Sequence, residues 1–318
     1  MLTRIHHFGV TVRRPLETLR FYNGLLNFPF VSLNAVMGKE YEELYKLERP
    51  VNFIAWYQFP KSALELFYLP FHPPRSAAAG DILIPGYRYA GYSVEGLDEY
   101  MSRFDAGGVE YRLAECEGER ALKLRDPSGI NVVLFETKSG GRSGRTLGIE
   151  EVGLTVADPD AYEEYFEAIG LAASRGPDSA LIESVFAFDQ PVIMKRYGHI
   201  RLLHFPEGAP RAGGKFFPQG GGEGAHGFNE TGVRHAAYAV DDAAAFYEKA
   251  RTRGVHFLFA PKVVLGGSII SYFLDPEGNT IEVIQQSDSA VRSARILGEI
   301  KLAEMTVRAH LRRIPGLR

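Results

Sequence analysis

Two histidines and two glutamates stand at matched places in strands that are otherwise apolar. His7 opens the run HFGVTV and His235 opens HAAYAV, each five residues ahead of a valine, Val12 and Val240. Glu65 lies in LELFYLP between two leucines, and Glu282 lies in NTIEVIQQ between Ile281 and Val283. A carboxylate in such a run is costly to bury unless something pairs with it. Two imidazoles with one or two carboxylates suit a first-row divalent ion with open positions, non-haem Fe(II) included. The chemistry would then be metal chemistry: two neighbouring substrate oxygens are chelated, their pKa values fall, and an enediolate or catecholate is stabilised.

The elements that must carry these residues repeat along the chain. IHHFGVTV returns as IEEVGLTV (149–156), YAGYSV (89–94) returns as HAAYAV (235–240), and DPSG (126–129) returns as DPEG (275–278). Internal periods of this kind set the fold. Each half contains two related units, so four modules are expected. Each starts with an alternating strand and a helix whose apolar residues recur at helical spacing, as in Tyr162, Tyr165, Phe166 and Ile169. Pro15 and Pro159 sit where first-turn prolines are tolerated. Three more strands complete each unit, and the DPxG turn joins the last two in modules two and four. The expected boundaries are 1–75 for module one, 84–138 for module two, 147–208 for module three and 231–288 for module four. A Gly/Ser linker fills 139–146, a glycine-rich loop 209–230, and an amphipathic helical tail 289–318 with Ile296, Ile300, Leu302 and Met305 in its apolar stripe. The glycine-rich loop lacks the GxxxxGK[ST] lysine of a phosphate cradle, although its His226 can reach a site.

Comparing modules position by position sorts the candidates. The first-strand place is His7, Tyr89, Glu151 and His235 in turn, and the last-strand place is Glu65, Val133, Arg201 and Glu282. His7, rather than His6, keeps the five-residue step to valine. Modules one and four therefore hold a His and a Glu each, while Glu151 and Arg201 are placed to form an ion pair instead. Taken singly, a histidine on an apolar strand is more often a packing residue than a ligand; four polar residues at matched places weigh against that here.

The strand–helix openings and the DPxG-then-Glu ending resemble the vicinal oxygen chelate superfamily, which includes glyoxalase I, methylmalonyl-CoA epimerase and the extradiol ring-cleaving dioxygenases. The resemblance covers about residues 3–286. It implies an α+β fold of four βαβββ modules forming two cup-shaped half-barrel domains, with the helical tail appended. It also implies metal ligands on first and last strands, so pairing of module one with module four would gather His7, Glu65, His235 and Glu282 in one cup. Some four-module hydroquinone dioxygenases are built this way. The leading expectation is a non-haem Fe(II) ring-cleaving dioxygenase acting with O₂ on a catechol or hydroquinone, with Tyr272 beside the metal. Against this stands Glu65, which a three-ligand site does not need. The alternative is a glyoxalase-type lyase or epimerase in which Glu65 is a fourth ligand and the proton-transferring base, with Mn(II), Ni(II), Zn(II) or Co(II) in place of iron. A third reading is a non-catalytic binder of small molecules, its cup lined by Tyr41, Tyr45, Trp56, Tyr57, Phe67 and Tyr68, although such aromatics more simply form core.

Composition bounds the remaining classes. The net charge is −3, with no basic half, which argues against nucleic acid. No apolar run approaches the ~18 residues of a membrane span, and MLTRIHHFGV lacks the regions of a signal peptide. The lone Cys116, between Glu115 and Glu117, fits a reducing cytoplasm and not a nucleophile. The expected partner is a small oxygenated aromatic or enediol substrate, and the tail is expected to pack on the body or on a second copy of the chain.

Overall fold

The computed structural model describes residues 2–74, 80–137, 144–207, 228–264 and 267–287, and residues 291–293, 296–297, 299–301 and 304 of the tail. Module one comprises β1 (Leu2–Thr11), α1 (Pro15–Arg20) running into a π-turn (Phe21–Leu25), β2 (Phe30–Met37), α2 (Lys39–Tyr45), β3 (Val51–Gln58) and β4 (Ala63–Tyr68). Module two comprises β5 (Gly86–Glu95), α3 (Leu97–Gly107), β6 (Tyr111–Cys116), β7 (Glu119–Arg125) and β8 (Asn131–Glu136). Module three comprises β9 (Arg145–Thr155), α4 (Pro159–Ile169), α5 (Ser179–Phe186), β10 (Ile193–Tyr197) and β11 (Ile200–His204). Module four comprises β12 (Gly232–Val240), α6 (Ala243–Arg251), β13 (His256–Phe257), β14 (Lys262–Val263), β15 (Ile269–Leu274) and β16 (Thr280–Gln285).

Helices α4, α5 and α6 start where an aspartate supplies a partner for their free backbone donors. Asp158 accepts from the Asp160 and Ala161 amides, and Asp242 from the Ala245 amide. Gly170 ends α4 in the left-handed region, where a side chain is disfavoured. Each DPxG turn is organised by its aspartate. Asp275 Oδ1 accepts from the Glu277 and Asn279 amides, and Asp126 Oδ1 accepts from the Ser128 and Ile130 amides. The buried Tyr162 hydroxyl donates to Asp275 Oδ2 at 2.8 Å, and Tyr22 meets Asp126 Oδ2 at 3.5 Å. The helix of each odd module is thereby fastened to the turn of the following even one.

The sheets join a different pair of modules. One nine-stranded sheet runs β13-β15-β16-β12-β1-β4-β3-β2, with β14 added on β15, and a seven-stranded sheet runs β10-β11-β9-β5-β8-β7-β6. At the centre of the first, β1 pairs antiparallel with β12; at the centre of the second, β5 pairs antiparallel with β9. Module one thus shares a sheet with module four, and module two with module three.

Four departures from the expected grammar matter. Module one gains a helix, α2, between its second and third strands. Module three has α5 in place of one outer strand, with only the isolated bridge Ala173–Tyr197 remaining of it. The apolar Leu181, Ile182 and Val185 of α5 pack against Tyr89, Ala121 and Val133, so the helix fills the second cup. Strand β9 begins at Arg145, inside the stretch read as linker. In the tail, Ile296 and Ile300 are helical and more than half exposed; Leu302 and Met305 lie outside the described residues.

Candidate metal centre

The alternation of the first strands is interrupted at a matched place in every module. On β1, Ile5 and Phe8 both enter the core, leaving two residues between them, His6 and His7. Tyr87 and Ala90, Ile149 and Val152, and Val233 and Ala236 do the same. Two same-face residues three apart require an extra residue in the ladder. The pairing registers skip one residue at each of these places: His6, Arg88, Glu150 and Arg234. A bulge of this kind bends the strand and re-aims the next side chain. The residue after each bulge is His7, Tyr89, Glu151 or His235, the first-strand site position of its module.

The last-strand glutamates reach the same points from the neighbouring parallel strands. Glu65 is the register partner of Gly9 on β1, and Glu282 is the partner of Ala237 on β12. Gly9 is also opposite His235 across the β1–β12 ladder. A Cβ at Gly9 would fall on the His235 ring, so only glycine leaves the bed on which that imidazole lies. The ring also stacks on Phe67 at 5.8 Å between centroids.

Four side chains converge. His7 Nε2 lies 3.0 Å from His235 Nε2, 3.3 Å from Glu65 Oε2 and 3.4 Å from Glu282 Oε2. His235 Nε2 is 3.2 Å from Glu282 Oε2 and 3.9 Å from Glu65 Oε2. The ligand atoms of His7, Glu65 and His235 all lie within 4.8 Å of one another. Bonds of about 2.1 Å to a shared ion would set two ligand atoms ~3.0 Å apart at a right angle and ~3.4 Å apart at the tetrahedral angle. The observed edges fit that range, with the Glu65–His235 edge opened toward a wider angle. The donor set, two imidazoles and two carboxylates, also balances a 2+ charge.

The electrostatics agree. Burial alone would push the His7 imidazole down, but Glu65 and Glu282 more than reverse this and lift it to about 10. Burial would raise the Glu282 carboxyl, yet His7 and His235 hold it far below the usual range. The two carboxylates therefore call for positive charge, from a proton on His7 or from an ion. The His7, His235 and Glu282 side chains are at most 4 % exposed; Glu65, at 16 %, is the most open of the four.

Tyr272 is the cross-strand partner of Glu282, and its ring centre lies 5.4 Å from that of His235. Burial, then the Glu282 charge, keeps its phenol protonated. Tyr45 of α2, Phe67 and Phe228 complete an aromatic wall, with Phe228 5.9 Å from His235 and 4.7 Å from Tyr45. Trp56 stands 5.8 Å from His7. Neither α2 nor the place of Phe228 was legible in the sequence. His226 lies outside the described residues, and Tyr57 and Tyr68 do not reach the cluster but pack in the main core.

Among the described residues the second cup holds no such set. Glu151 accepts from Arg201 Nε at 2.7 Å and Nη2 at 2.9 Å, from Tyr89 at 2.5 Å, and faces Arg196 Nε at 3.1 Å. The ion pair expected there forms, with a second arginine added. Gly153, opposite Tyr89, makes room for that ring as Gly9 does for His235.

Residues 148–283 match the family profile described as Glyoxalase/Bleomycin resistance protein/Dioxygenase superfamily. No curated protein sequence matches the chain. Among solved structures, glyoxalase I from Zea mays is similar at TM-score 0.64 and 15 % identity, over 92 % of this chain and 95 % of that one. A putative dioxygenase from Bacillus subtilis subsp. subtilis str. 168 is similar at TM-score 0.62 and 14 % identity, over 100 % and 98 %. At such identities these likenesses speak for the fold. Among the described residues no helix is long and apolar enough to cross a membrane. The matched stretch lies in modules three and four, and the four modules and two shared sheets of the chain are similar in fold to these glyoxalase and dioxygenase structures.

Proposed function

We propose that the chain is a divalent-metal-dependent lyase or isomerase whose substrate presents two vicinal oxygens and passes through an enediolate. The observation that carries this reading is Glu65. A three-ligand ring-cleaving centre has no use for it, yet its carboxylate stands 3.3 Å from His7 Nε2 and, with the two histidines, offers ligand atoms that all lie within 4.8 Å of one another. Four protein ligands leave two positions, which suits a bidentate substrate better than a substrate and O₂ together.

A divalent ion held by His7, Glu65, His235 and Glu282 would supply Lewis acidity, lowering the pKa of the chelated oxygens and of the adjacent C–H. The protein's residues do the rest. The buried His7, His235 and Glu282 form a fixed seat. Glu65, the most open of the four, takes the proton from substrate carbon and returns it to the neighbouring atom, a role worth ~10²–10⁴-fold. The wall of Tyr45, Phe67, Phe228 and Tyr272 keeps water from the carbanionic carbon.

The Fe(II) ring-cleaving reading keeps one specific support, the protonated Tyr272 beside His235, placed to hydrogen-bond an aromatic oxygen. The two are separated by loading the anaerobically purified protein with Fe(II), Ni(II), Zn(II), Mn(II) or Co(II). Deuterium exchange into α-hydroxycarbonyl and acyl thioester substrates is followed alongside oxygen uptake on catechols and hydroquinones. Exchange that needs Glu65 and no oxygen is expected. Oxygen uptake with Fe(II) that survives Glu65→Gln would replace the lyase reading with the dioxygenase.

A further inference from the structure

His6 was set aside in the sequence because His7 kept the repeat spacing, yet the bulge brings its side chain back to the site. Neighbouring residues of a regular strand point to opposite faces. Here His6 is the unpaired residue, and its Nδ1 lies 2.8 Å from His7 Nδ1, with both rings buried and edge to face. Two ring nitrogens at that distance attract only if one carries hydrogen and the other does not. His7 Nε2 faces Glu65, Glu282 and His235, so as a ligand it must present a lone pair there. Its hydrogen is then on Nδ1, and His6 Nδ1 is the acceptor.

We infer that His6 is a positioning residue: it fixes His7 as the Nδ1–H tautomer and aims its Nε2 at the metal. The inference rests on the metal-centre reading above. Metal-bound histidines are commonly held this way by a carboxylate or carbonyl; here a second imidazole does it from the adjacent residue. Gln286 lies within hydrogen-bonding reach of His6 on its side. The other bulge residues are employed differently. Arg88 bonds the Ile84 and Pro85 carbonyls, Glu150 pairs with Arg196, and Arg234 pairs with Glu230. The two histidine ligands are therefore unequal. Among the described residues His235 Nδ1 is buried with no hydrogen-bond partner, and its ring is held by packing against Gly9, Phe67, Phe228 and Tyr272.

The test compares His6→Leu, which removes the acceptor, with His6→Asn, whose Oδ1 stands where the histidine Nδ1 stood. Zn(II) affinity of the substrate-free full chain is measured by competition with a chromophoric chelator. Nitrogen-15 NMR of the Zn(II)-loaded wild type reads the tautomer of each ligand. Loss of the hydrogen-bond partner of a ligating imidazole typically weakens metal binding ~10–100-fold, and that loss is expected for His6→Leu, with His6→Asn recovering most of it. The wild-type spectrum is expected to show His7 protonated at Nδ1. Equal weakening in both variants, wild-type affinity in His6→Leu, or a His7 proton on Nε2 would each overturn the assignment. A wild type that binds no Zn(II) would remove the metal centre itself, a different failure from a wild type that binds and a His6→Leu variant that binds equally well.

Discussion

The same repeat position has opposite duties in the two cups, and Glu151→Gln exposes the difference. Glu151 is fully buried and is the counter-ion of Arg201, whose side chain is 4 % exposed, with Arg196 at its other oxygen. Glutamine keeps the shape but removes the charge and turns an amide toward guanidinium donors. Two arginines then share the single remaining anion of the group, Glu150, which reaches Arg196 at 3.2 Å. Stranding one partner of a buried ion pair costs about 3–5 kcal/mol. At roughly 2–4 °C per kcal/mol for a chain of a few hundred residues, Tm should fall by about 6–20 °C. Zn(II) or Ni(II) affinity should stay within about twofold, because the seat lies in the other sheet. Glu282→Gln should do the reverse: metal binding collapses while the metal-free Tm moves little, since His7 can shed its proton once a carboxylate is gone. Thermal unfolding by circular dichroism, with chelator competition on the same samples, gives both numbers. A Glu151→Gln protein within about 1 kcal/mol of wild type, or one that loses its metal, would refute the division of labour.

Elemental analysis of protein loaded and desalted should find one divalent ion per chain, and none after His235→Ala. Gly9→Ala places a methyl group on the His235 ring, so metal affinity should fall at least tenfold while far-UV circular dichroism is unchanged; wild-type affinity would contradict the bed proposed for that ring. In chelator-stripped protein, His7 titrates at about 10 against an ordinary 6.5. Its contribution to stability is complete below 6.5 and is lost as pH rises through 10, so Tm of the stripped protein should decline from pH 7 to 10. A bound ion replaces that proton, so the loaded protein should show a flatter profile, and loading at pH 7 should release about one proton, read by calorimetry in buffers of different ionisation enthalpy.

The repeats and the residue types of the candidate metal centre are legible in the sequence. Periodicity is a local property, and copies of IHHFGVTV and DPEG announce themselves wherever they fold. It determined that Glu65 and Glu282 needed a partner, because a carboxylate between leucines or between isoleucine and valine admits few others. The bulges leave a sequence signal too, the doubled polar residues of Ile5-His6-His7-Phe8 and Val233-Arg234-His235-Ala236, which break the alternation. Tertiary structure alone decided the rest. Which module joins which sheet depends on strand edges brought together across some two hundred residues, and β1 meeting β12 is what turns two half-sets into one seat. That α5 should fill the second cup, that Phe228 should wall the first, and that His6 should turn back onto His7 all depend on the space left by distant neighbours, which no local pattern encodes.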